Sequence, residues 1–413
     1  MSTTLVRSVL ALGVATIATT AAPATAQWTL PQGRLVVSSG ADYQYANTEF
    51  FGFADGPGGR TFDGERPFPL RGRYVGGNLR FGVRAGLTDQ LEVELGIPLT
   101  IVSFQGDPVL LLPQPADSTE DSIDYYQRNI INLNQTNGGI GDIHFAVRYR
   151  WLLEPIVVAT EVRLKVPGGY QTPAGTFGER PTSRQDFVEN AATYVAPANV
   201  RDDITLGDGQ LDLTARLLLG MSFDTGTFVR VEGGYNVRFD AGHQVLAALR
   251  AGQFVADWLL LYAGVGLAYT VTPGRIIGVS VAAEDPLLPA DRYLGVDNLF
   301  LREVRLQRDV LDVQGGAIFR ITPEAELNVG YGRIVWGRNT AAVNSVFMSI
   351  SVRTDLGRPA EPEPLSEPEP VAVEAEGAQT PVPPPPTPTG QGEVAAQAGN
   401  TQQTQTPTSP RVP

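Results

Sequence analysis

The sequence contains no cysteine, two histidines and, among its 31 basic residues, a single lysine, Lys165. Without cysteine, disulfides and thiol redox chemistry are excluded. Two well-separated histidines are too few for an ordinary transition-metal site. Downstream of the N-terminus no run of about 20 largely apolar residues occurs, so no membrane-spanning helix is expected. The net charge of −13 disfavours nucleic acid as a partner. Part of that charge is local, because Glu361, Glu363, Glu367, Glu369, Glu374, Glu376 and Glu393 all lie near the C-terminus. No cofactor and no metal are expected.

Both ends of the chain differ from its middle. Arg7 precedes a short apolar run, Val9 to Ala15, and Ala24-Thr25-Ala26 follows. A positive start, a short apolar core and an A-x-A site are the layout of a secretory signal peptide, so 1–26 is expected to be a cleaved leader. Past Leu356 the composition breaks, with fourteen of the 32 prolines falling in Pro359–Pro413. Apolar residues there are too sparse to bury a core, and 357–413 is expected to be a disordered Pro/Glu-rich tail. The folded part is therefore expected over 27–356.

Within that part the dominant signal is a period of two. From Ile143 onward, Ile143, Phe145, Val147, Tyr149 and Trp151 occupy one face, and His144, Ala146, Arg148 and Arg150 the other. After Leu153-Glu154-Pro155 the pattern resumes, with Val158, Thr160, Val162 and Leu164 set against Glu161, Arg163 and Lys165. Alternation of this length with a short Pro-containing break predicts a β-hairpin. An earlier pair of strands places Arg80 and Arg84 on the same side as Glu92 and Glu94, where opposite charges can pair across a hairpin. Further strands place Arg216, Arg230, Glu232 and Arg238 on the polar face.

Counted through, the pattern predicts twelve strands. Connections near 89, 154, 225, 257 and 323 are short, whereas those after the first, third, fifth and ninth strands are long. A soluble sandwich would hide the apolar face and wet the charged one, but it does not account for this asymmetry. A bacterial outer-membrane barrel does, with apolar residues facing lipid, charges facing the lumen, long loops outside and tight turns in the periplasm. Trp151, Phe223, Phe228, Trp258 and Phe319 lie near the short turns and are expected to form an aromatic girdle. The apolar stretch Pro108–Pro113 in the second long loop is expected to fold into the mouth or to pack against neighbouring loops. The expected fold is all-β, a transmembrane antiparallel up-and-down barrel.

Three glycine-rich motifs stand at strand boundaries: Gly139-Ile140-Gly141-Asp142, Lys165-Val166-Pro167-Gly168, and Leu206-Gly207-Asp208-Gly209-Gln210-Leu211-Asp212. In order and spacing they resemble those of an outer-membrane family named for the MetA pathway of phenol degradation. The resemblance spans about residues 137–240, and the Pro-rich tail is not part of the family's pattern. It implies a membrane barrel that takes up small, often hydrophobic or aromatic molecules. From the residues themselves, glycine permits close backbone approach at a barrel rim, and Asp142 and Asp208 are suited to capping turns.

The catalytic inventory is thin. His144 has no serine two residues away, and His243 sits in a short loop. A serine hydrolase needs its nucleophile within hydrogen-bond reach of the base, and nothing local supplies one. The function expected is a channel that passes small solutes past Arg80, Arg84, Glu92, Glu94, Arg148, Arg150, Glu161, Arg163, Arg216, Arg230, Glu232 and Arg238, without chemistry. Its partners would be outer-membrane lipid and the solute. The alternative is a non-conducting barrel whose tail tethers a periplasmic protein or the cell wall. Width does not decide, because twelve strands lie between side-chain-filled barrels and open porins.

Overall fold

Every second residue of each strand is apolar, so a sheet of such strands has one face that water rejects and one that it accepts. The computed structural model resolves this by closing the sheet. It describes residues 29–50, 64–110, 114–131, 134–170, 206–283 and 299–356; the expected leader and tail lie outside these. The barrel strands are β1 (Arg34–Ala46), β2 (Arg73–Gly86), β3 (Leu91–Gln105), β4 (Ile143–Leu152), β5 (Val157–Val166) and β6 (Asp212–Ser222). They continue as β7 (Thr227–Arg238), β8 (Gln244–Ala256), β9 (Leu259–Thr270), β10 (Asp309–Arg320), β11 (Ala325–Arg338) and β12 (Asn344–Asp355). All are antiparallel to their neighbours, and the predicted strands fall within a few residues of these bounds.

Each strand pairs with the next in sequence, and β12 returns to β1 with Arg34 opposite Asp355 and Tyr45 opposite Asn344. The result is a closed twelve-stranded up-and-down barrel. A thirteenth segment, Gln135–Ile140, pairs with the outer part of β3 and runs end to end with β4. Closure removes both sheet edges, so the barrel wall leaves no row of unpaired backbone groups.

The surface is inverted relative to a soluble protein. On β6, Leu213 and Leu217 are 44% and 47% exposed, while Asp212 and Thr214, on the other face, are each 6% exposed. The same holds around the wall, with Val83, Phe145, Val147, Leu249 and Met348 outward and Arg84, Arg148, Glu161 and Glu326 buried inside. Such a continuous apolar exterior on strands of 10–15 residues is that of a barrel crossing a bilayer. At the end with short turns, Trp151, Phe223 and Trp258 project outward, and Trp258 stacks on Phe319 with ring centroids 6.2 Å apart. Phe228 departs from the expected girdle. It shares the register parity of Arg230 and is buried in the lumen with Leu260 and Tyr262. A second belt, Tyr43, Tyr45, Tyr235, Tyr269 and Tyr331, rings the other end.

The long connections carry structure that the periodicity did not reveal. Thr48–Phe50, Glu65–Pro67 and Thr340–Ala341 form a small sheet, and Ile276–Ala283 pairs with Leu299–Arg305. Within the Pro108–Pro113 stretch, Val109–Leu110 pairs with Ile130–Ile131 after the helix Ser122–Asn129; residues 111–113 lie outside the described ones. An apolar cluster that includes Phe50, Phe68, Tyr74, Val102, Leu206, Ile334 and Val343 packs these loops onto the rim.

Candidate functional site

The lumen is built from two unlike walls. Register places Glu92, Arg148, Glu161 and Arg216 side by side on β3 to β6. Antiparallel pairing of strands whose inward residues alternate in sign thus writes a row of alternating charge across the wall. Arg148 Nη1 donates to Glu92 at 2.6 Å and Arg148 Nη2 to Glu161 at 2.5 Å. Arg84 grips Glu92 with two bonds of 2.8 and 2.9 Å. Arg163 donates to Glu161 at 3.1 Å, and Glu94 lies 3.5 Å from both Arg148 and Arg163. Arg216 stands 3.7 Å from Glu161 and from Glu232. Planar guanidinium forks suit this shared, multidentate use of carboxylates.

The lead into β1 seals this network toward the turn end. Leu30 N donates to Glu92 Oε2 at 2.8 Å, and Thr29 and Leu30 are buried. Gly86 accommodates the lead, since a Cβ there would stand 2.1 Å from the Pro31 carbonyl oxygen.

Nearer the loop end the lumen opens. Arg80 pairs with Asp42 at 2.5 Å, and Asp42 also accepts from Asn78 and Gln44. The facing wall, on β8 to β12, carries small inward residues: Ala248, Gly266, Ala268, Gly316, Gly332, Ser345 and Ser349. Between the walls lies a cavity of about 260 Å³. It is lined by Asp42, Arg80, Arg163 and Arg216 together with the apolar Leu246, Ala268, Val310 and Phe347, and by Arg308 and Asp312 as well. His144 also faces this space. Among the described residues no cluster of His, Asp or Glu could hold a metal ion.

At the loop-end rim the three glycine-rich motifs meet. Lys165 Nζ contacts Asp208, Asp212 at 2.8 Å and Asp142 at 3.4 Å. Arg238 joins Asp208 and lies 3.5 Å from Asp212. The Tyr170 hydroxyl donates to Asp142 and accepts from Gly209 N at 2.9 Å. Asp208 caps its own turn through Gln210 N, as expected, whereas Asp142 spends its oxygens on Tyr170 and Lys165. The glycines let these loops touch: a Cβ at Gly168 would stand 2.2 Å from the Gly141 oxygen, and one at Gly207 2.1 Å from the Tyr170 hydroxyl. Burial opposes ionisation of Asp208, but Lys165 and Arg238 overcome it and hold the carboxyl below its usual range. Burial prevails at Asp142 and raises it. Burial and the adjacent Asp142 raise the Tyr170 phenol.

All twelve sequence-predicted lumen residues stand on the inward face. Arg84, Glu92, Glu94, Arg148, Glu161, Arg163, Arg216 and Glu232 join one network, Arg80 belongs to the Asp42 group, and Arg238 belongs to the rim. Arg150 and Arg230 sit lower, toward the short turns. Asp42, Asn78, Arg250 and Asp312 also face inward and were not singled out from the sequence, although their parity within the strands carries the information.

No protein-family model matches the chain, and no curated protein matches it. The likeness to the MetA-pathway family therefore rests on its motifs alone. Among solved structures, the fold is similar to an outer-membrane channel from Pseudomonas putida F1, at 13% identity over 79% of this chain and 97% of that one, with a TM-score of 0.47. It is also similar to the translocator domain of the autotransporter NalP from Neisseria meningitidis, at 11% identity over 79% and 91%, with a TM-score of 0.36. A third is the CymD monoaromatic hydrocarbon channel, at 11% identity over 79% and 89%, with a TM-score of 0.33. With TM-scores below 0.5 these likenesses carry no functional argument. The class of protein defined by the fold and its inverted surface is the transmembrane β-barrel.

Proposed function

We propose that the chain is an outer-membrane channel that passes small solutes along the boundary between its charged and small-residue walls. The observation that carries this reading is the cavity in the lumen, lined both by ion-paired arginines and by Leu246, Val310 and Phe347. A lumen of mixed character suits solutes that have both an apolar body and a polar group, hydrophobic and aromatic compounds among them. Rings of charge in such a passage select permeants by sign and size. The start of β1 and the end of β12 at the short-turn end support a periplasmic location for the Pro-rich tail.

A second reading, a closed barrel that serves as a tether, draws on the density of ion pairs at the turn end and on Leu30 seated beneath Glu92. Planar-bilayer recording of the purified full chain decides between them. A channel gives steady unitary currents whose ion selectivity shifts in the Arg148→Gln, Arg150→Gln variant. A folded barrel that passes neither ions nor aromatic solutes would overturn the channel and leave the tether standing.

A further inference from the structure

Among the described residues, the carboxylates that line the lumen cavity are Asp42, Glu94, Asp142, Asp208, Asp212 and Asp312. All but one are held by cations: Asp42 by Arg80, Glu94 by Arg163, Asp142 and Asp212 by Lys165, and Asp208 by Arg238. Asp312, partly buried on β10, is the exception, since no cation among the described residues stands within ion-pair distance of it. The register explains why. Its partners are Gly266 on β9 and Ile334 on β11, and neither side chain offers a donor. An extra residue on β11, Val335, bulges the pairing at this step, which increases the local twist. Arg250, whose field reaches Asp312, lies two strands away on β8 and one register row nearer the turn end. It stands over the Tyr262 ring at 5.6 Å and faces Glu232 as well. The remaining cations of the cavity are committed elsewhere, Arg216 to Glu161 and Glu232, and Arg308 toward Asp208, Asp142 and Asp212.

A carboxylate without a counterion in a confined lumen attracts one strongly, because Coulomb energy grows as the effective dielectric falls. Two features beside Asp312 give that attraction a shape. Gln314, two residues along the same face, also lines the cavity, and its amide makes no hydrogen bond among the described residues. Two residues the other way, Val310 continues through Ala268 to Leu246 as an apolar row across β10, β9 and β8, all of it on the cavity wall. Residues two apart on one face of a strand stand roughly 7 Å apart, so one small molecule can span the carboxylate and the apolar row. Gly266 and Ala248, in register with Asp312, leave the space beside it open. We propose that this wall is a binding site for organic cations with an apolar body, primary ammonium compounds above all. The ammonium donates to the Asp312 carboxylate and to the Gln314 amide oxygen, and the body lies on Val310, Ala268 and Leu246. Carboxylates of the same shape are turned away by Asp312.

The inference rests on the channel reading, and its test separates the two. The full chain in detergent is titrated calorimetrically with benzylammonium, with methylammonium and benzoate as comparators that lack the body or reverse the charge. Benzylammonium is expected to bind in preference to both, and to weaken by about tenfold in Asp312→Asn through loss of a charge-assisted hydrogen bond. Val310→Ala should weaken benzylammonium and leave methylammonium unchanged, and Asp312→Glu should keep the preference for cation over benzoate. Because Asp312 holds no ion pair, Asp312→Asn should unfold in urea no earlier than the native chain, which separates lost recognition from a lost fold. Earlier unfolding would show the carboxylate to be a structural partner and would overturn the site. So would benzylammonium binding that is no tighter than that of benzoate or methylammonium, or that is unchanged in Asp312→Asn; steady currents from the same preparation in a planar bilayer would then leave the channel standing. Asp312-dependent binding to a barrel that passes neither ions nor solute supports the site and overturns the channel. Absence of both binding and passage overturns both.

Discussion

Lys165 and Gly168 stand three residues apart and hold the same corner by different means. Lys165 bridges three aspartates drawn from two other loops and a strand start, while Gly168 lets the backbone pass against Gly141. Gly168→Ala is expected to destabilise the barrel by about 1–3 kcal/mol, the usual cost of overpacking, as read by urea unfolding from lipid vesicles. Asp208 gives a pH-dependent counterpart. Its folded pKa lies below the unfolded value of about 3.9, so its stabilisation is complete at neutral pH and is lost as pH falls through the folded value. Asp208→Asn should therefore cost on the order of 3 kcal/mol at pH 7, with the gap to the native chain closing below about pH 4. A gap that is constant from pH 7 to pH 3 would show that the ion pair is not its source. Asp142 runs the other way, since its raised pKa makes ionisation a cost that grows as pH rises. The motifs that carry these residues were visible in the sequence. Their convergence was not, because Lys165 and Asp208 lie 43 residues apart and periodicity says nothing about which loops meet.

Among the strands, one residue of offset decides whether arginine is an asset or a fault. Arg216 faces the lumen beside Glu161, and Leu217 faces outward at the middle of β6 with 47% exposure. Leu217→Arg is expected to cost about 2–4 kcal/mol in a bilayer, as arginine does near the midplane of a barrel's lipid face. Folding titrations in vesicles measure it, and a change near zero would argue against lipid contact on that face. The twelve strands were legible because each keeps its period over ten or more residues. The two- and three-residue strands of the loops are too short to show a period, so Thr48–Phe50 and Val109–Leu110 passed as loop. Phe228 was assigned to the girdle from its nearness to a turn, when its parity with Arg230 already placed it inside.

The molecule as a whole divides its connections unevenly. Eleven of its seams join strands adjacent in sequence, and the remaining one joins Arg34 to Asp355 across nearly the whole folded part, with a salt bridge of 3.0 Å at its end. The local seams can form as soon as each hairpin is available, whereas the last carries the entire cost of closing the loop. Until β12 is in place, β1 and β11 are both open edges in a chain whose other strands are already paired. The order of assembly is thus set by geometry: the final strand is the clasp, and the barrel gains its shield against stray strand pairing only at the last step.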